Sequence, residues 1–232
     1  DGGYSYYPIS GAIAGGPLSM LAIAPSNSNY IYTGDYSKVY RTNNGGATWT
    51  NILGDLPTNF VAITDIAVDP RDAMKVYVTT SGYLPGYKLF YSSTGGTTWA
   101  NISSDLPNLP ANTLVIDTTT SGAMFVGTDM GVFYTDSSQT GWTRYGTGLP
   151  NVIINDLELN YGNYKIRAAT YGRGVWEVPV KAPMPNSVKQ LNDAAALSVE
   201  VVPNPSKDNW KIVFSNTPPA QYSVKVYDLA GR

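Results

Sequence analysis

Four carboxylates of this 232-residue chain, Asp35, Asp55, Asp105 and Asp129, stand beside turns between short apolar runs. Two such carboxyls held about 5–9.5 Å apart can hydrolyse a glycosidic bond. Spacing along the chain pairs none of the four, so the catalytic residues stay unknown. Tyr36, Tyr83, Tyr87, Tyr171 and Arg173 fall in similar segments. A tyrosine ring offers a flat apolar face with a hydroxyl, and a carboxylate accepts hydrogen bonds from sugar hydroxyls. Asp35, Tyr36, Tyr83, Tyr87, Asp129, Tyr171 and Arg173 are therefore the candidate ligand contacts, for a polysaccharide or an extended peptide. Ordinary turn chemistry accounts for the same residue types. A further acidic group, Asp65, Asp69 and Asp72 with Arg71, surrounds a Pro turn and reads either as a cation site or as an Asx turn with a local Asp–Arg pair.

Composition removes several chemistries. The chain has no cysteine and no histidine. Disulfides, thiolate nucleophiles, Cys/His zinc sites and Ser–His–Asp triads are excluded. No metal or cofactor is expected. Net charge is -2 and the basic residues are scattered, which argues against nucleic acid. Tyr32, Tyr40, Tyr77 and Tyr91 recur at strand positions and read as packing residues rather than a base-stacking platform. No apolar run approaches the ~20 residues of a membrane helix, so membrane insertion is not expected.

The elements that must position these residues come from a repeat. Trp49-Thr50-Asn51-Ile52-Leu53-Gly54-Asp55-Leu56-Pro57 is echoed from Trp99 to Pro107 and from Trp142 to Pro150, with starts 50 and then 43 residues apart. A period in this range marks a repeat architecture. Three apolar runs precede each tryptophan: 21–25, 30–33 and 39–41 in the first unit, 66–70, 76–79 and 89–91 in the second, 114–117, 124–127 and 132–134 in the third. A fourth unit has 157–160, 166–169 and 175–177. With a strand opened by the tryptophan, each unit is four short strands, the pattern of a β-propeller blade. Gly-rich turns, 42–48 and 92–98, precede the first two tryptophans, and the third, 135–141, is degenerate. Glycine permits positive φ there, and the tryptophan is expected to cover the turn.

Thr42-Asn43-Asn44-Gly45-Gly46-Ala47-Thr48-Trp49 and Ser92-Ser93-Thr94-Gly95-Gly96-Thr97-Thr98-Trp99 resemble the Asp-box of sialidases, sortilin-type receptors and xyloglucan-cleaving glycosidases, with Asn44 and Thr94 at the Asp position. The resemblance covers residues 19–180. It implies an all-β, partial β-propeller of four four-stranded blades, with 1–18 leading in from a preceding segment and earlier blades outside the chain. It also implies a protein that binds glycan or protein ligands, with a xyloglucanase-like glycoside hydrolase as the alternative. A sialidase would need an arginine cluster and a Tyr–Glu pair. The six arginines are dispersed, and glutamate occurs only at 158, 177 and 200.

Residues 181–198 are a Pro-containing linker without strand pattern. From Val199 a second module begins. Pro203-Asn204-Pro205-Ser206 followed by Val224-Lys225-Val226-Tyr227-Asp228-Leu229-Ala230-Gly231-Arg232 resembles the C-terminal sorting domain of type IX secretion cargo. The usual Gly after Ser206 is replaced by Lys207. The resemblance implies a truncated β-sandwich-like sorting domain over 199–232, with Pro203, Asn204, Pro205, Val224, Val226, Tyr227, Asp228 and Gly231 carrying the signal. The type IX machinery would be its partner, and the location would be extracellular or on the surface of a Gram-negative bacterium.

Overall fold

A computed structural model describes residues 8–11, 13 and 17–180, with the backbone of 199–202 and 211–214. The chain divides into two compact units, Asp1–Pro183 and Met184–Arg232. Every regular element among the described residues is a β-strand.

In the first unit the repeat becomes sheets. β1 (Met20–Ile23), β2 (Ile31–Asp35), β3 (Lys38–Thr42) and β4 (Thr50–Asn51) pair in chain order, all antiparallel. The second sheet repeats this with β5 (Ile63–Val68), β6 (Val76–Thr80), β7 (Leu89–Ser92) and β8 (Ala100–Asn101), and the third with β9 (Ala111–Ile116), β10 (Met124–Thr128), β11 (Gly131–Thr135) and β12 (Thr143–Arg144). The fourth holds β13 (Ile154–Asn160), β14 (Lys165–Thr170) and β15 (Gly174–Pro179), without a fourth strand among the described residues. In the second unit β16 (Val199–Val202) pairs antiparallel with β17 (Lys211–Phe214). The Pro203–Ser206 and Val224–Arg232 motifs lie outside the described residues.

The first strands of successive sheets, β1, β5, β9 and β13, touch one another in turn, so the sheets stack face to face around a common side. Cores form between neighbours. Met20, Tyr32, Val39, Ile66, Val68, Val78 and Phe90 fill the space between sheets one and two. Leu89, Leu114 and Val126 lie between two and three, and Phe125, Ile154, Leu157 and Ile166 between three and four. Middle sheets are covered on both faces, which is why β6 and β10 read as continuous apolar runs rather than alternating ones. Polar side chains bridge the gaps: the Tyr32 hydroxyl donates to the Ala73 carbonyl at 2.8 Å, and Arg41 Nη1 to the Gly95 carbonyl at 2.8 Å. Tyr77 and Tyr91 pack with ring centroids 4.9 Å apart, in keeping with a packing role.

Two local expectations change. The fourth strands are only two residues long and begin after the tryptophan, because both residues are exposed at the outer edge and nothing extends the pairing. The tryptophan reaches beyond its own turn: Trp99 is 8% exposed and donates Nε1–H to the Ile52 carbonyl of the preceding sheet at 2.9 Å. It therefore fastens one blade to the one before.

The turns themselves are locked by side chains. Thr42 Oγ1 accepts from Gly46 N at 3.0 Å, and Asn44 Oδ1 from Thr48 N at 2.9 Å. Ser92 and Thr94 make the same bonds to Gly96 N at 2.8 Å and Thr98 N at 3.1 Å. Gly46 and Gly96 sit at φ +99° and +89°, where L side chains are strained. In the third turn Asp136 replaces this network, accepting from Ser138 N at 2.8 Å and from the Tyr134 hydroxyl at 2.7 Å. The Ser138 and Tyr134 hydroxyl bonds hold its carboxyl at about 2.

Candidate functional site

The loops joining second to third strands gather at one end of the four sheets. The starts of the first strands meet them there: Ile63 N donates to the Tyr36 carbonyl at 2.9 Å, and Tyr171 N to the Ile153 carbonyl at 2.9 Å. The first loop is a tight turn. Asp35 Oδ1 accepts from Ser37 N at 2.7 Å and Ser37 Oγ at 3.0 Å, leaving the Tyr36 ring 66% exposed. Burial pushes the Asp35 carboxyl up, but the Ser37 bonds and Lys38 outweigh it and hold the group below the usual range. A carboxylate held ionised is poorly suited to donate a proton.

The second loop, 81–88, is the longest of the four and the most built. Tyr83 and Tyr87 are exposed at 64% and 37%. Beneath them Lys88 is fully buried, and its ammonium donates to the Gly82 carbonyl at 2.6 Å. No carboxylate pairs with it among the described ion pairs, and burial pushes its amine down. Thr80 Oγ1 donates to the Tyr87 carbonyl at 2.7 Å and Asn101 Nδ2 to the Gly86 carbonyl at 2.7 Å, so both ends of the loop are tied down.

This loop meets the third. Asp129 Oδ2 lies 3.5 Å from the Tyr83 hydroxyl, and Asp129 Oδ1 accepts from Asn112 Nδ2 at 3.0 Å. The cluster thus spans sheets two and three. Of the sequence candidates, Tyr83 and Asp129 are brought together. Asp35 and Tyr36 stay on the first loop, while Tyr171, 71% exposed, and Arg173 stay on the fourth, where the Arg173 carbonyl accepts from Trp176 Nε1 at 2.9 Å. Sequence reasoning missed Asn112 and Lys88. A signal for Asn112 existed: the second and third residues of each later first strand are polar, Thr64 and Asp65, Asn112 and Thr113, Asn155 and Asp156, ahead of the apolar part of the strand.

Asp55 stands exposed, whereas Asp105, Asp69 and Asp65 have structural duties. Asp105 Oδ1 accepts from Trp142 N at 2.8 Å and so ties the second sheet to the third. Asp69 accepts from Arg71 N and Nε, each at 2.9 Å, and pairs with its guanidinium: the Asx-turn reading of that cluster. Burial pushes Asp69 up, and the Arg71 bonds hold it below the usual range all the same. Asp65 lies apart from that turn, accepting from Ile66 N at 2.8 Å and Leu114 N at 3.0 Å, with its carboxyl pushed up by burial. No group of three or more Asp or Glu fit for a metal occurs among the described residues. Among the described residues, cavities between the third and fourth sheets lie around Val132, Leu157 and Trp176, around Phe125, Tyr134 and Asp136, and around Asp117, Leu159 and Tyr161; none of these is lined by the loop candidates. The rings of Tyr36, Tyr83 and Tyr171 on the loop face stand exposed.

No protein-family model and no curated protein matches the chain. Solved structures do. A GH74 xyloglucanase from Xanthomonas campestris aligns with TM-score 0.55 at 13% identity, over 68% of this chain and 28% of that one. The extracellular domain of a hybrid two-component system from B. thetaiotaomicron aligns with TM-score 0.53 at 20% identity, over 70% and 21%. A chain of the nidogen/laminin complex aligns with TM-score 0.54 at 15% identity, over 72% and 62%. The fold is that of a β-propeller. The propeller portion spans 28% of the length of the xyloglucanase it matches, so it corresponds to part of that protein. No described helix is long and apolar enough to cross a membrane.

Proposed function

We propose that this chain belongs to a secreted or cell-surface β-propeller that holds an extended glycan on its loop face. The observation that carries this is the Tyr83–Asp129–Asn112 cluster, which bridges two sheets, with exposed tyrosine rings on either side. Flat rings cover sugar faces, and the carboxylate and amide exchange hydrogen bonds with hydroxyls. Exposed rings spread over successive blades, Tyr36, Tyr83 and Tyr171, suit a polymer running across them. Binding is favoured over hydrolysis because Asp35 is occupied in its own turn by Ser37 and Asp105 is committed to Trp142. Calorimetric titration with soluble xyloglucan, mixed-linkage β-glucan and a denatured collagen peptide mixture tests this. A glycan should bind, and Tyr83→Ala and Asp129→Ala should each weaken it at least fivefold. Binding of peptide alone, or glycan binding untouched by both changes, would overturn the reading.

The same proposal includes export through residues 199–232 by the type IX pathway. It rests on the Pro203-Asn204-Pro205 and Val224–Gly231 motifs, with two paired strands, β16 and β17, flanking the first. Val224→Asp combined with Val226→Asp should hold the protein inside cells of a type IX-competent host. Normal secretion of that variant would sink the export reading while leaving glycan binding untouched.

A further inference from the structure

The end of the sheets opposite the loop face carries a cavity that the loop candidates do not reach. Consecutive strands run antiparallel, so the turns joining third to fourth strands gather at that end. There, between the third and fourth sheets, lies a space of about 310 Å³. Phe125, itself fully buried, lines it together with Tyr134 and Tyr145. The centroids of these three rings are 4.7, 4.8 and 5.3 Å apart, so the rings make one continuous apolar wall. Asp136, Ser138, Gln139 and Thr143 form the polar side.

The repeat gives the reason that this space is open. Phe125 pairs with Tyr134 across second and third strands as Tyr32 pairs with Arg41 in the first sheet. Between sheets one and two, Tyr32 donates to the Ala73 carbonyl and Arg41 to the Gly95 carbonyl, so turns of the second sheet occupy the space. Between sheets three and four those two donors are gone. Phe125 has no hydroxyl, and Tyr134 turns its own on Asp136 at 2.7 Å. The fourth unit also has no Gly-Gly turn in its sequence, where Pro179-Val180-Lys181-Ala182-Pro183 stands instead.

The lining decides what fits. Asp136 is ionised and no lysine or arginine is among the described lining residues, which disfavours anions. The Asp136 oxygens accept from Ser138 N, the Ser138 and Tyr134 hydroxyls and, at 3.4 Å, Gln139 Nε2, which fills about four acceptor positions. An ammonium ligand gains no direct pairing there, and rings in contact leave no gap in which to cage one. Ser138 and Thr143 commit their hydroxyl protons to Asp136 and to Gln139 Oε1, so their oxygens are left to accept. Gln139 Nε2 keeps a second N–H to donate. A matching ligand is uncharged, has a flat apolar face and carries hydroxyls along its edge. We propose that this cavity binds a neutral pyranose, at a site separate from the loop face. The sugar ring covers the Tyr134–Tyr145 wall, its hydroxyls donate to Ser138 and Thr143, and a sugar oxygen accepts from Gln139. A free monosaccharide and the end of a glycan chain offer the same ring.

Saturation-transfer NMR and calorimetric titration of the whole chain with glucose, galactose, mannose and cellotetraose test this, with glucuronate and choline as charged controls. Each titration is run with and without Tyr83→Ala, so that binding on the loop face is told apart. At least one neutral pyranose should bind, with its ring protons saturated most strongly. Gln139→Ala should weaken it about threefold or more. Val180→Trp, which fills the cavity, should abolish it, and Tyr83→Ala should leave it unchanged. Gln139 is half-buried at the polar side, so its truncation answers even where Val180→Trp does not fold. A monosaccharide that binds as well as the tetraose makes the ligand a free sugar, and a tetraose that binds better makes it a chain end; either supports the site. Absence of neutral pyranose binding, binding that Gln139→Ala leaves intact, or binding of choline or glucuronate alone would overturn the proposal.

Discussion

Gly96→Ala isolates the packing between the first two blades. Gly96 sits at φ +89°, and a Cβ there would overlap the Ile52 side chain, lying 2.8 Å from Ile52 Cβ and 3.0 Å from Ile52 Cγ1. Two costs combine. Holding alanine at positive φ costs about 1–3 kcal/mol, and forcing a methyl into a packed core costs about 1–3 kcal/mol more. Gly148 supplies the control: its φ is +85°, and nothing lies within 4 Å of its Cβ position. Gly148→Ala therefore carries only the backbone cost. For a protein of this size each kcal/mol lowers the melting temperature by about 2–4 °C, so Gly96→Ala should fall about 2–12 °C further than Gly148→Ala. Urea denaturation followed by tryptophan fluorescence gives the free energies, and a double-mutant cycle with Ile52→Ala assigns the excess. Ile52 is 5% exposed, so its truncation alone should cost about 2–5 kcal/mol. In the Gly96→Ala background it should cost about 1–3 kcal/mol less, because the cavity accepts the new methyl. Equal losses at Gly96 and Gly148, or additivity in the cycle, would refute the reasoning.

Acid should unfold the propeller through Asp69, Asp136 and Asp35. Their folded carboxyls are held below the ordinary range, so the stability they add is present above about pH 4 and lost as pH falls through the folded values, near 2 for Asp136; melting curves between pH 6 and 2 should show this, with a shallower fall in Arg71→Met. Asp65 opposes them: its raised carboxyl favours folding most below the ordinary range and loses that contribution as pH rises through the raised value, so Asp65→Leu should steepen the acid limb. Lys88, pushed down by burial, makes folding firmer as pH climbs from its folded value toward the ordinary lysine value of about 10.4; Lys88→Met should lack that rise in alkaline denaturation curves. Trp99→Ala should cost about 3–5 kcal/mol by urea denaturation, and the less buried Trp142→Ala distinctly less.

The strands were legible because apolar β-branched and aromatic runs alternate with Gly, Asn and Asp turns at a fixed period. Every first, second and third strand of the four units overlaps the run read from sequence. The fourth strands were legible from the tryptophan repeat, but not their shortness, since Thr50, Asn51, Thr143 and Arg144 are polar edge residues whose pairing depends on the neighbouring strand rather than on their own pattern. The bulges between Ile63 and Asp65 and between Ile154 and Asp156 were equally silent, because one extra residue shifts the alternation without changing composition. At the site, Tyr83 and Asp129 lie 46 residues apart and Asn112 comes from yet another strand, so only the stacking of sheets two and three brings them into one cluster. The burial of Lys88 had no signal in the sequence, because a lone charged residue carries no pattern that marks it as covered by its own loop.

By itself, then, the chain's period of apolar runs and Gly–Gly turns determined that blades form and where each begins, because β-pairing between consecutive strands and left-handed glycine turns are local. Which tryptophan bridges two sheets, where a cavity stays open and which carboxylate meets which tyrosine were decided by the stacking of one blade on the next. Those contacts join residues about one repeat apart, which no local pattern records.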